Sequence, residues 1–266
     1  MKKIVSIISC TVALFAMTSC DWFKLDNLDG WDAQVEGRII DQATNQPIQM
    51  EQGSNITVYE LYGEQYDHTN QEGKKGWDGH SGINWAVKND GSFVNKLTFA
   101  GKYEMETTGN NFVAEKVNFE LKKGSNTVDF LATPYLRIKN PQVTVSGEVI
   151  NATCQIEVAV PGTTIGRVEI CVFPDRWVRH SQNNCANDPQ SYVVGPAAGT
   201  TVSLSVDPQR KNEKGELVNA DEFQYKRIHY IRIAALGINS RNTSSMYNYS
   251  PVYKLENGTI TEVTDW

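Results

Sequence analysis

Apolar and polar residues alternate along most of the chain with a period of two, the spacing that sends every second side chain of a β-strand to the same face. In the first half this pattern predicts strands at Ala33–Ile40, Ile56–Leu61, Ser92–Phe99, Lys102–Thr107, Val113–Leu121 and Thr127–Ala132, with a turn over Asp41–Pro47. In the second half it predicts strands at Val143–Ile150, Ala152–Val160, Gly166–Phe173, Thr201–Val206, Lys226–Leu236 and Pro251–Leu255. Asn89-Asp90-Gly91 and Lys123-Gly124-Ser125 punctuate the runs, because Gly and Asn tolerate the positive φ of tight turns. Helical periodicity is almost absent beyond the first twenty residues. Short strands at this spacing indicate an all-β chain of two antiparallel β-sandwich domains in series, residues 33–136 and 137–266.

The opening differs from the rest. Lys2 and Lys3 precede an uncharged, mostly apolar run from Ile4 to Met17, and Thr18-Ser19-Cys20 follows. A basic start, a short apolar segment and small residues before a cut site make a secretory signal, here residues 1–19. The run is shorter than the roughly 20 residues that a bilayer span needs. Met17-Thr18-Ser19-Cys20 resembles the bacterial lipobox, with Met where Leu is commoner, and this resemblance implies a diacylated Cys20. Residues 20–32 then read as a lipid-anchored tether carrying Asp21, Asp26 and Asp29.

Charge narrows the class of partner. The 266 residues are 40% hydrophobic, enough for real cores, with a formal net charge of −6. Cleavage before Cys20 removes two lysines and no acid, taking the charge to −8. That balance argues against nucleic acid, which needs a concentrated basic stripe, and against a polybasic membrane patch. The membrane contact is expected through the lipid alone.

Beyond Cys10 and Cys20 the chain holds Cys154, Cys171 and Cys185, an odd number that leaves one thiol free or paired elsewhere. Cys154 alternates with Ile156 and Val158, which suggests a core-facing strand position, so Cys171–Cys185 is the preferred bridge if one forms. Their spacing matches no zinc pattern. Asp67, His68, Asp78, His80 and Asp90 could offer metal ligands, yet no pair has a recognised spacing, and Asn89-Asp90-Gly91 is already accounted for as a turn. No metal or other cofactor is expected.

Candidate chemistry concentrates in long polar loops. Tyr62 to Asn89 carries Tyr62, Tyr66, Trp77 and Trp85 among Gly, Asn, Asp and Gln. Aromatic rings stack on the C–H faces of sugars while neighbouring polar groups bond hydroxyls, so this composition suits a carbohydrate site. The alternative use of either Trp is to plug the open end of a sandwich. Pro174 to Pro196 holds Trp177, Arg179, His180, Asn183, Asn184 and Tyr192, again suited to a sugar or peptide or to a braced surface loop. A third, weaker cluster is Met246, Tyr247 and Tyr249. The chain has no Gly-x-Ser-x-Gly elbow, His-Glu-x-x-His or phosphate-cradling loop, so no catalytic residue is assigned and an enzyme is not expected.

Val35-x-Gly37-x-Ile39-x-Asp41, Thr44, Pro47-Ile48, Asn89-Asp90-Gly91-Ser92-Phe93 and Gly101-Lys102-Tyr103 resemble the transthyretin-like fold of carboxypeptidase regulatory domains. Tyr230 to Ala235 with Tyr249-Ser250-Pro251-Val252 is similar to the last strands of a fibronectin type III or immunoglobulin-like sandwich. With the lipobox, the Asn95 to Tyr103 segment, Asp129-Phe130 and Thr133-Pro134-Tyr135-Leu136-Arg137-Ile138, the chain resembles a two-domain lipoprotein family of Bacteroidetes, domain-of-unknown-function family 3823. Its members tend to be encoded beside SusC-like transporters and SusD-like lipoproteins. The resemblance implies outer-membrane display facing the cell surface and a role in capturing polysaccharide or oligosaccharide, with SusC/SusD-like proteins as partners; it maps no binding residue. A scaffold or adhesin-type lipoprotein without a ligand is the alternative.

Overall fold

A computed structural model describes residues 30–51, 53–61, 82–106 and 110–266, and Ala33–Trp266 form a single compact unit. Its first part comprises β1 (Ala33–Asp41), β2 (Gln46–Pro47), β3 (Asn55–Leu61), β4 (Ile83–Ala86), β5 (Ser92–Thr98), β6 (Gly101–Glu106), β7 (Phe112–Val113), β8 (Val117–Leu121), β9 (Gly124–Thr127) and β10 (Phe130–Pro134). β4-β3-β6-β8 make one sheet, and β1 is the hub of the other, pairing with β2, β5, β9 and β10. The alternation predicted for β1 is present: Ala33, Val35, Gly37 and Ile39 point inward between exposed Gln34, Glu36 and Arg38.

One expectation fails. β1 pairs in parallel with β9 (Ala33 opposite Gly124) and β10 (Ile39 opposite Phe130), so this sandwich is mixed and not purely antiparallel. Alternation reports which face a residue takes; it carries no information on the direction of the partner strand. Gly37 is required where these strands meet, because a Cβ there would lie 1.8 Å from the Val128 carbonyl oxygen.

The second part comprises β11 (Leu136–Ser146), β12 (Val149–Val158), β13 (Thr164–Phe173), β14 (Tyr192–Val194), β15 (Thr201–Val206), the short helix α1 (Ala220–Phe223), β16 (His229–Ile238), β17 (Tyr247–Tyr249), β18 (Tyr253–Glu256) and β19 (Thr259–Glu262). Sheet β11-β12-β15 packs on sheet β14-β13-β16-β18-β19, with β17 added to β16. The hairpin between β11 and β12 turns at Gly147, φ +62°, several residues before the break expected at Asn151. Ile150, Ala152, Cys154 and Ile156 of β12 meet Val168, Ile170 and Val172 of β13 and Ile231, Ile233 and Ala235 of β16 in the main core.

β13 and β16 are buried on both faces. On the outer side Cys171 and Ala234 pack with Val178, Tyr247, Tyr249 and Val252, contributed by the segments that follow β13 and β16. Arg232 shares that outer face and is fully buried. Its Nε donates to the Ser250 carbonyl (2.8 Å), and its two terminal nitrogens donate to the carbonyls of Met50 (2.6 Å) and Asn89 (3.2 Å) in the first sandwich. Burial lowers its pKa to about 10, so it stays charged at neutral pH, and its guanidinium lies 4.3 Å from the Tyr249 ring centroid.

The segment Thr133 to Ile138 is the strap between the sandwiches, and Tyr135 alone separates β10 from β11. Gln42 donates to the Thr133 hydroxyl (2.6 Å), and the Leu136 N–H donates to Asn248 Oδ1 (2.9 Å). Asn248 Nδ2 in turn donates to the Asn111 carbonyl (2.7 Å), while Asn111 Nδ2 donates to the Tyr247 carbonyl (3.0 Å). Arg137 grips Asp41 through Nε (2.5 Å) and a terminal nitrogen (2.9 Å) and reaches Glu157 with its other terminal nitrogen (2.5 Å).

Burial alone would raise the Asp41 pKa, but Arg137, the Ala43 N–H and the Thr44 hydroxyl together outweigh it and hold the carboxyl below its ordinary 3.8. A depressed acid stabilises the fold above its unfolded pKa, and that contribution is lost as pH falls through the folded value. Urea midpoints from pH 7 downward should therefore show Asp41→Asn less stable than wild type at neutral pH, with the gap shrinking below about pH 4. A gap that stays constant would contradict this role.

Candidate functional site

The aromatic residues singled out from sequence do not converge. Cys20, Tyr62, Tyr66 and Trp77 lie outside the described residues, as do Asp67, His68, Asp78 and His80. Trp85 is not a loop residue: it sits on β4 opposite Ile56 and is 3% exposed. Phe93, Tyr103 and Phe119 surround its ring at centroid distances of 5.8, 6.3 and 6.0 Å. Those contacts leave no face for a sugar, so Trp85 belongs to the core. Trp85 and Val87 alternate inward, and this short period-two signal was hidden in the polar surroundings.

Trp177 is half-buried against Trp266 (5.6 Å, rings tilted by 52°), with the Arg176 guanidinium 4.7 Å from the Trp266 ring. Tyr192, on β14, has Arg167 stacked 3.8 Å from its centroid. Asp90 accepts from the Ser92 N–H and hydroxyl, which fixes the Asn89-Asp90-Gly91 hairpin. His180 stacks on Tyr247 (4.2 Å), and its Nδ1 lies 2.5 Å from the fully buried Glu169, which also accepts from Arg167.

The expected Cys171–Cys185 bridge is replaced by hydrogen bonds. Both thiols are free and fully buried, as Cys154 is nearly so. Asn183 ties the insertion to β13: its Oδ1 accepts from the N–H groups of Val172 (3.1 Å) and Cys185 (3.0 Å), and its Nδ2 donates to the Ile170 carbonyl (3.1 Å). Cys185 and Val178 then fill core positions on opposite sides of the sheet. Burial pushes the Cys154 thiol up to about 12 and those of Cys171 and Cys185 well above their ordinary range, with Glu169 adding to the effect at Cys171. Ellman's reagent should leave all three unmodified in the native protein. Peptide mapping after unfolding and alkylation without reductant should find Cys154, Cys171 and Cys185 all alkylated; alkylation of Cys154 alone would mean that the bridge exists.

A concave site does form, elsewhere. A groove of about 1070 Å³ opens between the β11–β12 turn, residues 208–229 and the β18–β19 turn. Asn257 (φ +51°) and Gly258 (φ +76°) close the last turn as a two-residue hairpin whose positive φ values match the twist of the flanking strands. The polar segment after β15 is pinned by the buried Asp188, which pairs with Arg210 (2.6 Å) and accepts from Asn219 Nδ2 (2.8 Å). α1 then presents Glu222, fully buried, to three donors: His229 Nδ1 (2.6 Å), Asn184 Nδ2 (2.7 Å) and Arg227 (3.3 Å). Phe223 packs on the His229 ring (4.9 Å).

Above this braced floor Tyr225 stands 63% exposed, and Gln209, Gln224 and Asn257 share the lining. Sequence reasoning passed over the segment. Yet Phe223 and Tyr225 among Asn219, Asp221 and Gln224 form the same aromatic-in-polar signal that drew attention to the two longer loops.

Residues 33–133 match the model described as "Protein of unknown function (DUF3823) N-terminal domain". That stretch of the chain is similar to the N-terminal domain of the DUF3823 family. The whole fold is shared with solved structures. A Bacteroides uniformis protein, provisionally described as carbohydrate binding, is 26% identical, with 88% of this chain and 100% of that one covered at a TM-score of 0.69. A DUF3823 family protein of Parabacteroides merdae is 24% identical, covering 86% of this chain and 100% of that one at 0.64. Another, of Bacteroides ovatus, is 16% identical, covering 84% and 97% at 0.59. No curated protein matches the chain. The match to DUF3823 thus spans the first sandwich, whereas the groove is built wholly from residues beyond it.

Proposed function

We propose that this protein is a lipoprotein, anchored at the cell-surface face of the outer membrane through Cys20, that binds carbohydrate in the groove of its second sandwich. It would serve a polysaccharide-utilisation system beside SusC/SusD-like components and would carry out no chemistry of its own. The observation that carries the reading is the groove of about 1070 Å³ with Tyr225 exposed and the amides of Gln209, Gln224 and Asn257 in its lining. A tyrosine face supplies apolar contact to a pyranose ring, and amide side chains supply both donors and acceptors for hydroxyls. Loops at one end of an immunoglobulin-like sandwich are a common place for such a site. The Bacteroides uniformis neighbour, provisionally described as carbohydrate binding, supports the same reading.

A second reading, a scaffold for a transporter complex, is favoured by the rigid strap around Tyr135 and the buried Arg232. Affinity electrophoresis of the purified protein against a panel of plant, host and microbial polysaccharides separates the two. Binding to at least one polymer should weaken about tenfold in Tyr225→Ala, the size of one lost aromatic contact, and stay within about twofold in Trp177→Ala. Retention by no polymer would favour the scaffold.

A further inference from the structure

Resting on the groove reading above, we infer that the ligand is a neutral, hydroxyl-rich saccharide and not one bearing uronate or sulfate groups. Recognition of an anionic sugar calls for a cation whose donors are free, most often a guanidinium fork. The groove contains Arg227, but one of its terminal nitrogens is held in the floor by Glu222. That nitrogen serves the carbonyls of Asp221 (3.2 Å) and Glu222 (2.9 Å) as well as the Glu222 carboxylate (3.3 Å), and the Arg227 Nε is buried without a partner, out of a ligand's reach.

His229 is engaged in the same way. Its Nδ1 faces Glu222 Oε1 at 2.6 Å, and its side chain is only 10% exposed. Glu222 therefore holds one nitrogen of each of these two groups, and Asn184 donates to it as well.

Lys226 is the one other cation of the lining, and it shares the walls with Glu148, Asp221 and Glu256. Glu256 accepts from Lys254 at 2.8 Å, outside the lining. An arriving carboxylate or sulfate would enter a site whose acids outnumber its free cations, on a chain of net charge −6, within a Debye length of about 8–10 Å. Desolvating an unpaired charge there is costly, whereas a hydroxyl needs only the donor–acceptor pairs that Gln209, Gln224 and Asn257 offer. The tyrosine face, itself uncharged, completes a site tuned to neutral rings.

Isothermal titration of the purified protein would compare neutral probes (xyloglucan, mannan, starch) with polygalacturonate and chondroitin sulfate. Each bound probe would be repeated from about 0.05 to about 0.5 M NaCl and with Tyr225→Ala. A neutral polymer should bind at least about tenfold more tightly than either anionic one, change less than about twofold with salt, and weaken in Tyr225→Ala. Tightest binding to an anionic polymer, lost at high salt and in Tyr225→Ala, would overturn the neutral-ligand inference while leaving the groove as the binding site. Binding that Tyr225→Ala leaves intact, or no binding at all, would overturn the groove reading itself. Tyr225 is 63% exposed, and the variant's thermal midpoint serves as the check that it folds.

Discussion

A guanidinium with no access to water must find its hydrogen bonds in the protein or destabilise it by several kcal/mol. Arg232 finds them in three backbone carbonyls, one from its own sandwich and two from the other. Burial lowers its pKa to about 10, and the neutral carbonyls supply hydrogen bonds without cancelling the charge. Tyr249 supplies a π face, and its hydroxyl donates to Glu51 of the first sandwich at 2.5 Å. Met50 and Asn89 must therefore present their carbonyls in one geometry, and the Asn89-Asp90-Gly91 hairpin does so through Asp90 and the positive φ of Gly91. A Cβ at Gly91 would lie 2.4 Å from the Ile48 carbonyl oxygen, so the hairpin also closes directly on the chain leading to Met50.

Serial sandwiches usually meet through a linker and move relative to each other. Here Tyr135 is both the connection and a core residue, and Arg137, Asn111 and Asn248 clamp the chain on either side of it. The groove inherits that order, because its floor is tied by Asn184 to the insertion whose Val178 packs with Cys171. A surface held this firmly would lose little conformational entropy were a ligand to dock there.

Much of the architecture was legible from alternation. The inward residues of β1, β12 and β15 follow it, and the Thr133 to Ile138 motif, noticed first as a family resemblance, proves to be the strap. Pairing direction was not legible, because parallel and antiparallel strands share one period. Trp85 was misread because four strand residues inside a long polar stretch offer too few periods to identify. Cys171 and Cys185 were misread as a bridge because only Cys154 shows a core-facing alternation; the second core layer that buries Cys171 forms only when distant segments fold over β13. The groove escaped because its shape comes from two turns and a long segment far apart in sequence, and its floor from Glu222, whose burial no local pattern records.

The central claim is that Arg232 makes the two sandwiches one cooperative unit. Differential scanning calorimetry of wild type and Arg232→Met tests it most directly, since methionine keeps much of the side-chain volume and removes the donors. Wild type should unfold in one transition whose calorimetric and van't Hoff enthalpies agree, while the variant should resolve into two transitions, the lower well below the wild-type midpoint. A variant that still unfolds in one transition at the wild-type midpoint would contradict the account.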